Sequence, residues 1–373
     1  MSKFAYVGAF NYQGAQGITI CRYDENTGAL EPLSVTAEDL NAGALALCGD
    51  ILYATDEQDN TGAQGGGRIV TFKIDGETGR LQRLDDRSSL FVKPSYITVD
   101  ATGNYLLVTH FTIGMPITRV EQTPDGKWES KLMFHSAGIS LYRRNADGTP
   151  GELVDVYVPE KAKSGKPSFS HKAVYNPQDG RYAYCDLGAD EIGFLTIDYE
   201  QEKIRPAGSI SCDPFCGPRH AVIHPSLPLL YLNYERKGAV TRCRIDGKAL
   251  EILEDTSVLR EGDELTQDCN QSEILMNAAG TRLYDLMRGL GLLYVFAADP
   301  ADGALSLLEV HELDSKVPRG MTLTADEKFL LLACNDTECV ETYRVLEDGR
   351  LEKRVTSEKI AHPASIVIVG QDA

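Results

Sequence analysis

The chain has 373 residues, of which 42% are hydrophobic and 25% are charged, and its formal net charge is −18. No run approaches the roughly 18 apolar residues that span a membrane, and the start of the chain lacks the apolar core of a signal peptide. The negative charge disfavours nucleic acid and anionic membrane surfaces. We therefore expect a cytoplasmic protein that binds neither.

The cysteines fit that location. There are nine, an odd number, and no C-x-x-C pair occurs. Most of them, Cys334 among them, fall in apolar strand patterns and are expected to be small buried side chains. Cys212 and Cys216 form the closest pair, for which a disulfide or metal site is the minor alternative.

In chain order, the predicted elements are almost all strands, separated by Gly, Asp, Asn and Pro turns. The first 35 residues contribute three strands, from Phe4 to Val35. Six units of four strands follow between Asn41 and Ile360, with an insertion at about 111–137 in the third blade. The final run, 362–369, predicts a single strand.

The repeat is of the length found in propeller blades. Turns of the type D-x-x-T-G-x-L recur, for example at Asp24–Leu30 and Asp75–Leu81, and each supplies a glycine for the hairpin. Joining the two termini in one blade would close the ring and remove its exposed edges. We therefore predict an all-β fold with one domain over 1–373, a seven-bladed β-propeller of four-stranded antiparallel blades.

The first hairpin of each unit predicts which residues share one mouth of the central channel. Five units begin their first strand at Pro94, Ser170, Arg219, Ser272 and Arg319, and end their second strand at His110, Asp186, Glu235, Arg288 and Asn335. Every pair is 16 residues apart, and Asn41 and Glu57 give the same offset. The start of the first strand lies beside the end of the second in an antiparallel hairpin. Both columns therefore lie at one mouth, together with the following residues His171, His220 and Glu273.

This arrangement has two interpretations. Ion pairs such as Arg219–Glu235 or Glu273–Arg288 could simply hold neighbouring blades together. Three histidines at one mouth, however, suit proton transfer near neutral pH and favour a functional site. The sequence has no nucleotide-binding glycine motif and no H-x-H or H-E-x-x-H spacing, so neither a cofactor nor a metal is expected. A channel cation held by Asp186 or Glu235 is the alternative.

Several motifs carry a family likeness over essentially the whole chain. They are YVG at Tyr6–Gly8 with Gly17-Ile18 after it, LYATDE at Leu52–Glu57, DLGAD at Asp186–Asp190, GPRH at Gly217–His220, SEI at Ser272–Ile274, MRG at Met287–Gly289 and PRG at Pro318–Gly320. The chain resembles the lactonase family of seven-bladed propellers. That family includes propeller-type 6-phosphogluconolactonases and fungal 3-carboxy-cis,cis-muconate lactonizing enzymes.

The resemblance implies a set of active residues: His171, Arg219, Glu235 and Arg288. It also implies an anionic sugar-acid lactone as substrate and hydrolysis without a metal. His171 or Glu235 would be the base, and the arginines would stabilise an oxyanion or hold an anionic group. We expect the remaining mouth residues to bind substrate: His220, Glu273, Arg319, His110, Asp186, Asn335 and Glu57.

Two alternatives to hydrolysis stand beside it. The same residues could serve an intramolecular lyase that closes a muconate to a lactone, or the propeller could be a non-enzymatic scaffold. The chain also departs from the family pattern, because Tyr234 and Met287 stand where the family usually has asparagine, and His110 replaces another asparagine.

Overall fold

The structure, a computed structural model, describes residues 3–59, 61, 65–111, 117–134, 137–163, 167–247 and 249–370. These residues form seven four-stranded antiparallel sheets and one two-stranded hairpin. The all-β, seven-bladed propeller predicted from the sequence is confirmed.

The elements follow one another along the chain with short turns between them. In chain order they are β1 (Lys3–Ala9), β2 (Ile18–Tyr23), β3 (Leu30–Thr36), β4 (Leu45–Cys48), β5 (Ile51–Asp56), β6 (Arg68–Ile74), β7 (Leu81–Ser88), β8 (Pro94–Val99), β9 (Tyr105–His110), β10 (Ile117–Gln122), β11 (Trp128–Met133), β12 (Ile139–Arg144), β13 (Pro150–Tyr157), α1 (Glu160–Lys163), β14 (Ser170–Tyr175), β15 (Tyr182–Asp186), β16 (Glu191–Asp198), β17 (Lys203–Ser211), β18 (Pro218–Ile223), β19 (Leu229–Tyr234), β20 (Ala239–Asp246), β21 (Ala249–Ser257), β22 (Gln271–Met276), β23 (Arg282–Met287), β24 (Leu292–Ala298), β25 (Leu305–Glu312), β26 (Pro318–Leu323), β27 (Phe329–Cys334), β28 (Cys339–Val345), β29 (Leu351–Thr356) and β30 (Pro363–Ile368).

The two ends of the chain share one blade. The sheet order β3-β2-β1-β30 defines blade 1, in which the last strand pairs with the first. Blade 2 is β4–β7, blade 3 is β8, β9, β12 and β13, and blades 4 to 7 take four consecutive strands each from β14 to β29. The innermost strands are β30, β4, β8, β14, β18, β22 and β26, and each contacts the innermost strand of the next blade. The prediction that the termini close the ring in one blade is confirmed.

Apolar packing between blades holds the ring together. Seven apolar clusters occur among the described residues, and each joins two neighbouring blades. In one of them, Cys185 and Ile192 of blade 4 pack with Leu230 and Cys243 of blade 5. Inner strands such as β5 and β19 are therefore buried on both faces between blades, whereas outer strands such as β3 and β7 keep exposed polar positions.

The recurrent turn motif also joins blades. Its glycines adopt φ values near +70°, where a side chain is strained, for example at Gly79 and Gly303. The buried hydroxyl of Tyr6 donates to the Gly79 carbonyl at 2.9 Å, and Tyr231 donates to the Gly303 carbonyl at 2.6 Å. Each bond runs from one blade to the turn of the next blade, so the motif sets both the hairpin and the blade spacing.

Blade 3 carries the insertion expected at about 111–137. Its described part is the hairpin β10–β11, on which Val120, Trp128 and Leu132 are exposed; residues 112–116 and 135–136 lie outside the described residues. In the described chain the helix α1 has four residues, and no helix has the length and apolarity needed to cross a bilayer.

Candidate active site

A β-bulge recurs at the same end of five innermost strands. The pairing of the first and second strands shifts by one residue after Pro94, Ser170, Pro218, Gln271 and Pro318. Each bulge sets two residues of the inner strand against one residue of its partner. The first positions are Ser95, His171, Arg219, Ser272 and Arg319, and the second positions are Tyr96, Lys172, His220, Glu273 and Gly320. Bulges redirect side chains, and here they turn a ring of polar groups toward one mouth of the channel.

The offset of 16 residues between paired strand ends is observed in blades 3 to 7. In three of these blades, however, the predicted pair lies one residue too late in the chain. The strand pairs are Pro218–Tyr234, Gln271–Met287 and Pro318–Cys334, one residue earlier than predicted for blades 5, 6 and 7. In blades 3 and 4 the predicted pairs are Pro94–His110 and Ser170–Asp186, as observed. The predicted columns therefore mixed two different positions of the hairpin.

Backbone hydrogen bonds define the true second column. In five blades the residue after the second strand donates its N–H to the residue before the first strand, and in blade 2 Glu57 donates to Asn41, four residues before β4. These donors are Glu57, Phe111, Leu187, Glu235, Arg288 and Asn335. Charged residues therefore occupy this column in blades 2, 5 and 6, whereas Phe111 and Leu187 make it apolar in blades 3 and 4. Phe111 contacts the His171 ring with centroids 5.4 Å apart.

The second bulge positions of neighbouring blades form one hydrogen-bonded chain. Lys172 Nζ lies 3.0 Å from Glu273 Oε1 and 4.7 Å from the centre of the Tyr96 ring. Glu273 Oε1 also lies 2.8 Å from His220 Nδ1, and His220 Nε2 lies 3.0 Å from His171 Nδ1. Burial acts against the charge on Glu273, but the hydrogen bonds from His220 and Lys172, together with the positive charge of Lys172, hold the pKa of Glu273 well below the usual range.

The hydrogen bonds from Glu273 through His220 to His171 fix the tautomers of both histidines. Burial, opposed by Glu273, lowers the pKa of His220 to about 3, and burial together with the nearby arginines lowers that of His171 well below its usual value. Both rings are therefore neutral near pH 7. An ionised Glu273 only accepts, so His220 donates from Nδ1 and accepts at Nε2. His171 then donates from Nδ1 and keeps the lone pair on its Nε2.

Three arginines, Arg219, Arg288 and Arg319, lie beside these hydrogen-bonded residues. Glu235 Oε1 is 3.4 Å from Arg219 Nε and 3.3 Å from Arg288 Nη2, so one carboxylate joins two guanidinium groups. Burial and the neighbouring Arg288 lower the pKa of Arg219 to about 9. Among the described residues, Arg219 Nε has no aligned hydrogen-bond acceptor although it is buried. One N–H of the guanidinium is therefore left without a hydrogen bond in the described structure. The expected Glu273–Arg288 pair does not form, because each group has another partner.

Arg319 and Glu57 face each other across the same mouth. Arg319 Nη2 is 4.0 Å from Glu57 Oε2, and its guanidinium lies 3.8 Å from the centre of the Phe10 ring. Burial raises the pKa of Glu57 to about 7, against the opposing effect of Arg319 and other cations. Glu57, His171, Arg219, His220, Glu273 and Arg319 all line a channel cavity of about 890 Å³.

Three further predicted site residues form hydrogen bonds within the protein. Asp186 accepts from the Ser168 hydroxyl and from the backbone of Phe169 and Ala189, and His110 Nδ1 lies 2.9 Å from the Gly138 carbonyl. The Asn335 amide donates to the carbonyls of Phe10, His362 and Pro363, which ties blade 7 to blade 1. With Asp186 saturated and Glu235 shared by two arginines, neither carboxylate is arranged for the channel cation considered above.

Sequence reasoning missed Lys172 and Asn233. Lys172 occupies the second bulge position of blade 4, which the shifted phase concealed. Asn233 stands opposite the blade 5 bulge. Its Oδ1 accepts a hydrogen bond from the backbone N–H of His220 at 3.1 Å, and its Nδ2 donates to Asp285 at 2.8 Å. A consistent phase for all five hairpins would have placed Lys172 in one column with His220 and Glu273 and Asn233 opposite the bulge, but it would not have revealed the hydrogen bonds between them.

Comparison with known proteins agrees with this architecture. The chain matches the family described as "Lactonase, 7-bladed beta-propeller" over residues 4–368. It is 23% identical to a 6-phosphogluconolactonase of Bacillus subtilis strain 168 over 100% of both chains, and 24% identical to one of Formosa agariphila over 93% of this chain and 94% of the relative. The structure of a periplasmic gluconolactonase of Pseudomonas aeruginosa superposes with a TM-score of 0.83, at 23% identity and 99% coverage of both chains. The resemblance found in the sequence is thus confirmed, and the chain belongs to the seven-bladed β-propeller lactonase family.

Proposed function

We propose that this protein hydrolyses a sugar-acid lactone at the bulged mouth of its channel, without a metal. The observation that carries the proposal is the chain Lys172–Glu273–His220–His171 beside the buried Arg219. It combines a neutral, oriented imidazole with a guanidinium donor in one cavity, which are the two groups that ester hydrolysis needs. The named relatives favour this chemistry over ring closure by a lyase and over a scaffold role.

His171 is the proposed base. Its Nε2 lone pair is free because Nδ1 donates to His220. Water attacks the lactone carbonyl carbon while its proton passes to His171 Nε2, and Glu273 stabilises the resulting imidazolium through His220. Glu235 fits this role less well, since its carboxylate is held between Arg219 and Arg288. We assign Glu235 to positioning those two arginines.

Arg219 is the proposed oxyanion donor. The attack leaves negative charge on the carbonyl oxygen, and a buried guanidinium with an unused N–H stabilises such charge strongly. When the tetrahedral intermediate collapses, the bond from the carbonyl carbon to the ring oxygen breaks. The ring oxygen leaves with the proton from His171, which gives the open hydroxy acid and restores the neutral imidazole.

Arg288 and Arg319 favour an anionic substrate. In a chain of net charge −18, the local cluster of Arg219, Arg288 and Arg319 concentrates positive charge at one mouth. A phosphate or carboxylate on the sugar would be held there in fork geometry. It would also offset the arginines that lower the pKa of His171, so a bound anion would strengthen the base. A 6-phosphogluconolactone is the substrate that fits these features best. The cytoplasmic location expected from the sequence stays a prediction.

The test is a rate comparison on two lactones. Acid release from 6-phosphoglucono-δ-lactone and from glucono-δ-lactone is followed against spontaneous hydrolysis. We expect turnover of both, with a lower KM for the phosphorylated lactone, and a fall in kcat of about 10²–10⁴-fold in His171→Ala. Hydrolysis no faster than the spontaneous rate with both lactones would overturn the proposal. Loss of 3-carboxymuconate absorbance without lactone turnover would instead identify a ring-closing lyase.

A further inference from the structure

Two thiols and a carboxylate meet in blade 7, outside the lactone site. Cys334 at the end of β27 and Cys339 at the start of β28 are direct partners across the hairpin. Glu341 lies two residues after Cys339, so its side chain is on the same face of the sheet. One ligand atom from each residue lies within 4.8 Å of the other two, and all three residues are buried.

We propose that Cys334, Cys339 and Glu341 bind a thiophilic divalent cation of the Zn²⁺ class. Zinc bonds sulfur at about 2.3 Å and carboxylate oxygen at about 2.0–2.2 Å in a tetrahedron. Ligand atoms around such an ion are therefore roughly 3.5–3.8 Å apart, so these three need only a small contraction. Two sulfur ligands disfavour Mg²⁺ and Ca²⁺, which take oxygen ligands. The fourth position would hold a water.

The polar neighbour of the thiols suits cation binding. The Thr337 hydroxyl lies 3.3 Å from Cys339 Sγ and can donate to a thiolate there. A cation binds the deprotonated sulfurs, so its uptake displaces the thiol protons.

The surrounding charges balance an occupied site. Two thiolates and one carboxylate carry three negative charges, which a dication and one lysine neutralise. Lys353 Nζ is 2.7 Å from Glu341 Oε1, and the Tyr343 hydroxyl donates to the other carboxylate oxygen at 2.9 Å. Both donors leave lone pairs on the carboxylate for a metal. Lys353 is 42% exposed, so it can also withdraw toward solvent.

The position of the cluster gives the cation a structural role. Cys334 and Cys339 enclose the turn that contains Asn335, whose amide bonds Phe10, His362 and Pro363. Phe10 in turn supports Arg319. A cation would therefore stiffen the contact between blades 7 and 1, where the ring closes, without touching the reacting groups.

The experiment uses Co²⁺ as a spectroscopic probe of the full chain. Protein that is reduced and freed of metal with a chelator is titrated with Co²⁺, and Zn²⁺ is then added to displace it. We expect one equivalent to bind with thiolate-to-cobalt absorption, and this absorption to be lost in Cys334→Ser and in Cys339→Ser. The double variant Cys212→Ser/Cys216→Ser, which removes the other neighbouring thiol pair, should keep it.

Thermal unfolding provides a second readout. With Zn²⁺ at about 100 times its Kd, Tm should rise by about 2–5 °C in the wild type and not in Cys339→Ser. Circular dichroism checks that each variant folds. If Cys334→Ser does not fold, Cys339→Ser alone provides the test. The proposal fails if no thiolate absorption appears, or if both serine variants retain it. A loss of two hydrogens by mass without cation uptake would also overturn it, since the pair would then be a disulfide-forming one.

Discussion

The two ends of the innermost strands differ in regularity and in chemistry. At the bulged mouth, the strands of blades 3 to 7 begin with a bulge, and the bulges together carry histidine, arginine, lysine and glutamate. Toward the other end the same strands pair without shifts, and apolar residues such as Val99, Val174 and Leu275 line the channel. One cavity thus has a charged end and an apolar end, although both come from the same seven repeats.

The difference shows that the bulge, and not the ring itself, creates the site. A regular strand sends successive side chains to opposite faces, which here means into two different blade interfaces. The extra residue interrupts that alternation and leaves two side chains per blade near the axis. The second bulge positions of blades 3 to 6 then lie side by side, so Tyr96, Lys172, His220 and Glu273 contact one another. Substitutions at the two ends should therefore have separable effects.

After His171→Ala, the largest effect is expected from Arg219→Gln at the bulged end. It removes the proposed oxyanion donor but keeps a polar side chain, so kcat should fall about 10²–10³-fold. Steady-state kinetics on the phosphorylated lactone measures this. Arg22→Gln, at an exposed arginine paired with Glu31, is the matched control and should leave kcat unchanged. A rise in KM with an unaltered kcat would make Arg219 a substrate anchor instead.

Glu273→Gln should give the next largest effect, and on stability as well as activity. Lys172 is buried, and the substitution leaves its charge without a counter-ion. Breaking a buried pair from one side costs about 3–5 kcal/mol of unfolding free energy. Urea denaturation measures the loss. The double variant Lys172→Met/Glu273→Gln should recover much of it, because the orphaned charge is gone; a double variant no more stable than the single one would contradict this account.

These residues also show what the sequence could and could not reveal. Hairpin spacing and turn glycines identified the fold, the closing blade and the mouth that carries His171 and Arg219. A phase error of one residue then grouped His110 and Asp186 with Glu235. Spacing alone cannot detect where a bulge adds a residue, because the offset between strand ends stays 16 in either phase. The chain through Lys172 could not be predicted, since it links three blades across the axis.

Glu57→Gln should change stability in a pH-dependent way. The pKa of Glu57 is about 7 in the folded protein, against 4.5 for an ordinary glutamate. The folded state therefore favours the protonated form, and the wild type loses stability as pH rises from about 4.5 to 7, by about 3 kcal/mol. Glutamine cannot ionise and escapes this loss. The variant should thus match the wild type near pH 4.5 and exceed its Tm at pH 8. A difference that does not vary with pH would contradict the raised pKa.

The smallest effect is expected from Val174→Ala, which lies on the same strand as His171 but beyond the bulge. Val174 packs against the apolar cluster between blades 4 and 5 and lines the apolar part of the channel. Shortening it should cost about 1 kcal/mol of unfolding free energy through lost burial and leave kcat and KM unchanged. His171→Ala, three residues earlier, should instead cause a large loss of kcat. The two variants share a strand, a blade and a cavity. A loss of activity in Val174→Ala comparable to that in His171→Ala would mean that the lactone reaches past the bulge and that the far end of the channel belongs to the site.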